Sequence, residues 1–255
     1  MSKVYFASDF HLGIDARLSS SERERQIVRW LEEISQDATE IYLVGDLFDF
    51  WFEYDTVVPR GHVRFLGKLA EIADRGIPIH VFTGNHDMWM SDYFEKALGL
   101  HLYRKPVIRE IAGKKFMIGH GDGLGPGDHG YKFIKRIFAH PLSQWLYARL
   151  HPNFAFTMAN FWSGKSREKA ELKDQWLGKE KEWLVVYAQK KIKEMDLDYL
   201  IFGHRHLPID CILSNGYSRY INLGDWLFYN SYAVFDGTEV EIRFFENEGV
   251  SPKVV

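Results

Sequence analysis

Five short apolar runs in this chain each end in a cluster of Asp, His or Asn: Ser8-Asp9-Phe10-His11, Gly45-Asp46, Gly84-Asn85-His86-Asp87, Gly119-His120-Gly121-Asp122 and Gly203-His204-Arg205-His206. Runs this uniformly apolar read as strands buried on both faces. The first three, at about 3–7, 40–44 and 77–82, alternate with amphipathic helices expected over about 20–36 and 62–75. Strand, helix, strand at this spacing builds a parallel sheet from βαβ units. Ligands of such sheets bind beyond the carboxyl ends of the strands, where these polar clusters fall. A single site assembled from five distant segments is the natural reading.

The first helix carries Ile27, Trp30, Leu31 and Ile34 on one face, and Ser21 with Glu24 has the spacing of a capping box. Leu66, Leu69, Ala70 and Ala73 give the second helix its stripe, and Gly76 its stop. After a short helix expected over 91–98 the pattern turns β-rich, with a hairpin of 107–111 and 115–118 about Gly113-Lys114. Further strands are expected at 199–202, 209–213, 217–222, 231–235 and 240–245. An α/β half followed by a β-rich half predicts two sheets packed face to face with helices outside.

Residues 125–195 interrupt this plan. They show no clear strand and read as helices, with Ile134, Ile137, Phe138, Leu142, Trp145 and Leu146 on a broad apolar face. The stretch holds 13 Lys or Arg against 7 Asp or Glu, inside a chain whose net charge is −3. The expected division is therefore a core of 1–124 and 196–255 with a helical insertion, 125–195, acting as a lid.

The overall charge and a pI near 6.4 argue against a general nucleic-acid binder. Nothing in the sequence calls for an obligate protein partner. Cys211 is the only cysteine, which excludes an intramolecular disulfide and suits a reducing compartment. The N-terminus runs straight into a strand, and no apolar run reaches the roughly 20 residues needed to cross a bilayer. The expectation is a cytoplasmic protein.

Asp9 and His11 are two apart, as are His204 and His206, so in extended backbone each pair shares a face and can hold one metal. Asp46, with two oxygens, can bridge two cations, and Asn85 and His120 complete a set of seven candidate ligands; Asn85 could equally cap a turn. Oxygen mixed with imidazole suits Mn, Fe, Zn or a mixed pair, and an all-thiolate site lacks its cysteines. Two metals suit phosphoryl chemistry without a Ser or Cys nucleophile. His86, not required as a ligand, is positioned to protonate a leaving oxygen, with Asp87 orienting its ring, or else to cap its turn.

This set of motifs resembles that of the calcineurin-like metallophosphoesterases. The resemblance implies a four-layer αββα sandwich, with Asp9, His11, Asp46 and His206 on one metal and Asp46, Asn85, His120 and His204 on the other. Within the superfamily, Ser8-Asp9-Phe10-His11-Leu12-Gly13, Gly45-Asp46-Leu47-Phe48-Asp49-Phe50-Trp51, His120-Gly121-Asp122, His204-Arg205-His206-Leu207-Pro208 and Leu223-Gly224-Asp225-Trp226 resemble the UDP-2,3-diacylglucosamine hydrolases of lipid A biosynthesis. That branch implies two divalent ions, usually Mn2+, a lipid-linked nucleotide substrate, and cleavage of its pyrophosphate to UMP and 2,3-diacylglucosamine 1-phosphate. It also implies that the insertion is an acyl-binding lid. The composition of that insertion fits, with Lys165 and Arg167 beside Phe161-Trp162 as expected phosphate contacts, and Asn85 and His86 are expected to contact substrate at the centre. A basic, apolar lid would meet an anionic membrane surface, placing the protein peripherally on the inner face of the inner membrane. Many of these hydrolases carry Arg where this chain has His86, so a related phosphoesterase acting on another nucleotide or phospholipid phosphodiester stays open. A catalytically inactive scaffold would show eroded ligands, and all seven are present. Asp49, Asp122, His129 and Asp225 receive no role from the sequence.

Overall fold

The apolar runs pair into two six-stranded sheets. The computed structural model describes residues 3–127, 129–159, 176–247 and 253–254. In the first sheet β1 (Lys3–Ala7), β2 (Ala38–Val44), β3 (Ile79–Phe82) and β4 (His101–Tyr103) run parallel. Antiparallel β10 (Ser231–Phe235) and β11 (Val240–Phe244) extend it beside β1. The second sheet has the order β12 (Lys253–Val254), β8 (Pro208–Ile212), β9 (Arg219–Leu223), β7 (Tyr199–Phe202), β6 (Lys114–Gly119) and β5 (Val107–Ile111). Its centre is parallel and in register, Ile118 beside Ile201 and Ile201 beside Ile221.

The helices are α1 (Ser20–Ile34), α2 (Val63–Asp74), α3 (Tyr93–Lys96), α4 (His129–Phe138), α5 (Pro141–Tyr147), α6 (152–159) and α7 (Trp183–Glu194). Strand side chains alternate between faces, and each face finds its own apolar partner. Val4, Phe6 and Tyr42 of the first sheet meet Phe116, Ile201 and Ile221 of the second. Tyr5, Ile41 and Leu43 point the other way, onto Trp30, Leu31 and Leu69 of α1 and α2. Leu200, Phe202 and Tyr220 pack outward on Leu184, Val185 and Ala188 of α7. The layers thus run helix, sheet, sheet, helix, as expected for an αββα sandwich. None of the described helices is long and apolar enough to cross a membrane.

Three local expectations change. Strand β4 is only three residues long, too short to show alternation in the sequence. Helix α7 lies inside the 125–195 stretch expected as a lid, yet its apolar face covers the second sheet; among the described residues, α4–α6 are the part of that stretch that stands apart from this layer. The capping box of α1 is formed by Ser19 and Glu22, not by Ser21 and Glu24.

Glu24 has a different task. Buried beneath α1, its carboxylate accepts the N–H groups of Arg64 at 2.9 Å and Phe65 at 3.1 Å, in the first turn of α2. That turn needs an outside acceptor because His62, at its N-cap with φ 56°, makes no side-chain cap. Glu24→Ala is expected to lower stability by about 1–2 kcal/mol, and Glu24→Gln by less, in urea unfolding. An unchanged midpoint in Glu24→Ala would show that the cap contributes nothing.

Candidate metal centre

Strands β1, β2 and β3 of one sheet and β6 and β7 of the other end beside one another, and each delivers one polar cluster. The loops are stitched together by their backbones: His11 N–H donates to the Asp46 carbonyl at 3.0 Å, Gly203 N–H to that of His120 at 3.0 Å, and Trp226 N–H to that of Asp9 at 3.1 Å. The paired ligands do not sit on extended backbone as their spacing suggested. Asp9, His11, Asp46, His204 and His206 all adopt left-handed φ, between 44° and 68°. Each such non-glycine residue costs about 1–2 kcal/mol locally, which the surrounding loops must offset. Two glycines provide clearance: a Cβ on Gly203 would lie 2.5 Å from Asp9 Oδ2, and one on Gly84 would collide with the Asp46 carboxylate.

Each central carboxylate is anchored by one oxygen. Asp46 Oδ1 accepts the His86 N–H at 2.8 Å, while Oδ2 lies 3.2 Å from His120 Nε2 and 3.8 Å from His11 Nε2. Asp9 Oδ2 accepts the His204 N–H at 3.0 Å, while Oδ1 lies 3.4 Å from His206 Nε2 and 3.8 Å from His11 Nε2. Two groups of ligand atoms result, Asp9 with His11 and His206, and Asp46 with His120 and His204, each within 4.8 Å. Asn85 Oδ1 is 3.3 Å from His120 Nε2, so all seven expected ligands converge. A third group, His11 with Asp46 and His86, shows that His86 borders the same centre.

The donors fit divalent cations. Asp9 Oδ1 and both ring nitrogens of His11 are buried with no hydrogen-bond partner, an arrangement that protein groups alone leave unsatisfied. The imidazoles and carboxylates of the centre shift one another. Burial opposes ionisation of His120, but Asp46 beside it raises the ring to about 10. Burial opposes it at His11 too, where Asp49, Asp9 and Asp46 raise the pKa to about 10. His204, buried and next to His120, is pushed down to about 4. Burial would raise the Asp46 carboxyl, yet His120, His86 and His11 together hold it well below the usual range.

The supporting residues differ from those expected. Asp87 was the expected orienting partner of His86, but its carboxylate accepts the N–H groups of Gly84 and Leu47, both at 2.7 Å, and so ties two ligand loops together. Burial and neighbouring Asp46 raise it to about 7. Asp49 takes the orienting position instead: its carbonyl is 3.0 Å from His86 Nδ1, and its carboxylate lies 3.6 Å from that nitrogen and 3.7 Å from His11 Nδ1. Asp225 lies 3.1 Å from His206 Nδ1, and the Val44 carbonyl 2.8 Å from His120 Nδ1; such partners fix ring orientation. Asp122 turns away to Tyr131 and Lys135 of α4. His129 is exposed at the start of α4. Lys165 and Arg167 lie outside the described residues.

Arg23 is the supporting residue least visible in the sequence, where nothing separates it from its exposed neighbours Arg25 and Arg29. Fully buried, it donates to the carbonyls of Phe10 at 2.9 Å, His11 at 2.7 Å and Ile14 at 2.6 Å. Burial pushes its pKa down to about 10. The planar fork holds the loop that carries Asp9 and His11, which lysine cannot reproduce. Arg23→Lys is expected to weaken metal binding about tenfold in calorimetric titration. Unaltered affinity would reduce Arg23 to a packing residue.

The calcineurin-like phosphoesterase family model matches residues 2–208. The chain is 42% identical to a UDP-2,3-diacylglucosamine hydrolase of Porphyromonas gingivalis over 96% of its own length and 98% of that protein. It is 30% identical to one of Aeromonas salmonicida, over 87% of this chain and 85% of that protein. Among solved structures, Yfce, a phosphoesterase from E. coli, aligns with a TM-score of 0.49 at 15% identity, over 96% of this chain and 93% of the other. With the family motifs converging on one buried centre, the chain belongs to the calcineurin-like phosphoesterase family.

Proposed function

We propose that this chain hydrolyses the pyrophosphate of UDP-2,3-diacylglucosamine, releasing UMP and 2,3-diacylglucosamine 1-phosphate. The observation that carries the reading is an apolar cavity of about 290 Å³ at the metal centre, with Asp49, Asn85 and His86 at its polar end and Phe50, Trp89 and Phe138 among its walls. Apolar walls meeting a charged centre suit a substrate that joins acyl chains to phosphate. Similarity to the hydrolases of that name supports the same choice.

In this reading Asp9, His11, Asp46 and His206 hold one cation, and Asp46, Asn85, His120 and His204 the other. Mn2+ is the proposed ion; Fe, Zn or a mixed pair would also suit the donors. Such ions supply Lewis-acid charge to phosphoryl oxygens and lower the pKa of the attacking water. Asn85 and His86 contact the substrate, and His86 donates a proton to the leaving oxygen. Burial lowers the His86 pKa against the pull of Asp46, which makes its protonated form a better proton donor than an ordinary imidazolium. Asp87 serves by holding the loops, and Asp49 by orienting the ring.

Helices α4–α6 form the lid over the cavity, and Lys165 and Arg167 are proposed as its phosphate contacts. Phe133, Leu142, Trp145 and Phe154 are exposed on these helices, near Arg136 and Arg149. The lid accordingly docks on the anionic cytoplasmic face of the inner membrane, where a diacyl substrate resides. A related phosphoesterase acting on another nucleotide or phospholipid phosphodiester is the second reading, favoured by imidazole at position 86.

A Mn2+-dependent assay should yield UMP from UDP-2,3-diacylglucosamine; turnover of only a simple chromogenic phosphodiester would favour the second reading. His86→Ala should lower kcat about 10²-fold or more while metal stoichiometry stays at two. Loss of metal along with turnover would make His86 a ligand instead. The protein should co-sediment with phosphatidylglycerol vesicles, and Phe133→Ser with Phe154→Ser should abolish this; equal sedimentation of the double variant would refute lid docking.

A further inference from the structure

Two of the cavities against α4 are lined by candidate ligands of the metal centre, Asn85 in the apolar one and His120 in the other. Beside the apolar cavity lies another of about 210 Å³, floored by His120, Gly121 and Asp122 and walled by Arg104, Lys105, Lys132 and Lys135. Among the described lining residues the two cavities share Lys135 alone. Helical spacing makes the division. Tyr131, Ile134 and Phe138 of α4 line the apolar side, while Lys132 and Lys135, one turn apart on the adjoining face, line the other.

Main-chain carbonyls aim these cations without neutralising them. Arg104 donates to the carbonyls of Met90 at 3.0 Å and Ser91 at 2.8 Å, and Lys132 to that of Gly125 at 2.6 Å. Asp122 is the one carboxylate in the lining, and Lys135 pairs with it. Lys105 is exposed at the rim. The result is a cavity with an excess of positive charge directly against His120.

We propose that this cationic cavity receives the nucleoside monophosphate half of the substrate, with the acylated sugar in the apolar cavity and the scissile bond at the metal centre between them. The inference rests on the lipid-nucleotide reading above. A nucleotide has no acyl chain to bury, and its phosphate gains from charge-assisted hydrogen bonds to Lys and Arg. Acyl chains gain nothing there and are directed to the apolar side. The substrate thereby has one orientation, set by the two edges of α4.

Titration of UMP into the Mn2+-loaded full chain, followed by calorimetry, tests this. Lys105→Glu and Lys132→Glu should each weaken UMP binding about tenfold or more, and Ile134→Asp in the apolar cavity by a smaller factor. Ile134→Asp should instead raise KM for the lipid substrate most. Undiminished UMP affinity in both lysine variants, or a larger loss in Ile134→Asp, overturns the orientation while leaving the lipid-nucleotide reading standing. A wild type that neither binds UMP nor releases it from the lipid substrate overturns that reading itself. Thermal melts separate unfolding from lost binding, and should Lys132→Glu unfold, Lys105→Glu at its exposed position decides.

Discussion

Six buried carboxylates, Asp9, Asp46, Asp49, Asp87, Asp122 and Asp225, crowd the ends of two sheets, and their mutual repulsion is the constraint to which the architecture answers. Burial and like charge would ordinarily drive such groups to protonate. Here main-chain N–H groups hold one oxygen of Asp9, Asp46 and Asp225 and both of Asp87. Imidazoles face the remaining oxygens of Asp9, Asp46 and Asp225. Only the joined carboxyl ends of parallel strands from two sheets bring enough donors to one place. The sandwich and its acidic centre are therefore one design problem with one solution.

The backbone bears part of that burden. Five of the seven candidate ligands sit in left-handed conformation, so their directions are set by the turns of the loops that carry them. Arg23 is the complement of the acidic crowd: a buried cation whose charge goes to carbonyl oxygens, leaving the carboxylates to the metals.

Much of this was legible beforehand. Apolar runs with helices between them imply parallel sheets, and the seven candidate ligands stand out because each follows such a run. Their left-handed φ was hidden, since a spacing of two reads equally as strand or tight turn. The exchange of roles between Asp87 and Asp49 was hidden for a related reason: besides the nearby Gly84 N–H, the Asp87 carboxylate is directed by the Leu47 N–H, forty residues away. Glu24 and Arg23 look like surface residues of an amphipathic helix, and only the docking of α1 on α2 and on the first ligand loop reveals their partners. The αββα layering needed no such long-range detail.

Arg205 stands between His204 and His206, and its guanidinium pairs with Glu182 at 2.5 Å and lies over the Trp183 ring, at the root of α7. At the other end of the same excursion, Tyr131 and Lys135 grip Asp122, two residues beyond His120. Both anchor points of the helical excursion are thus bolted to the frame that carries metal ligands. A substitution at either anchor lies within two residues of a candidate ligand imidazole, His120 at one end and His204 and His206 at the other. The packing of the excursion and the placing of the candidate ligands rest on the same residues, so a substitution that loosens one loosens the other.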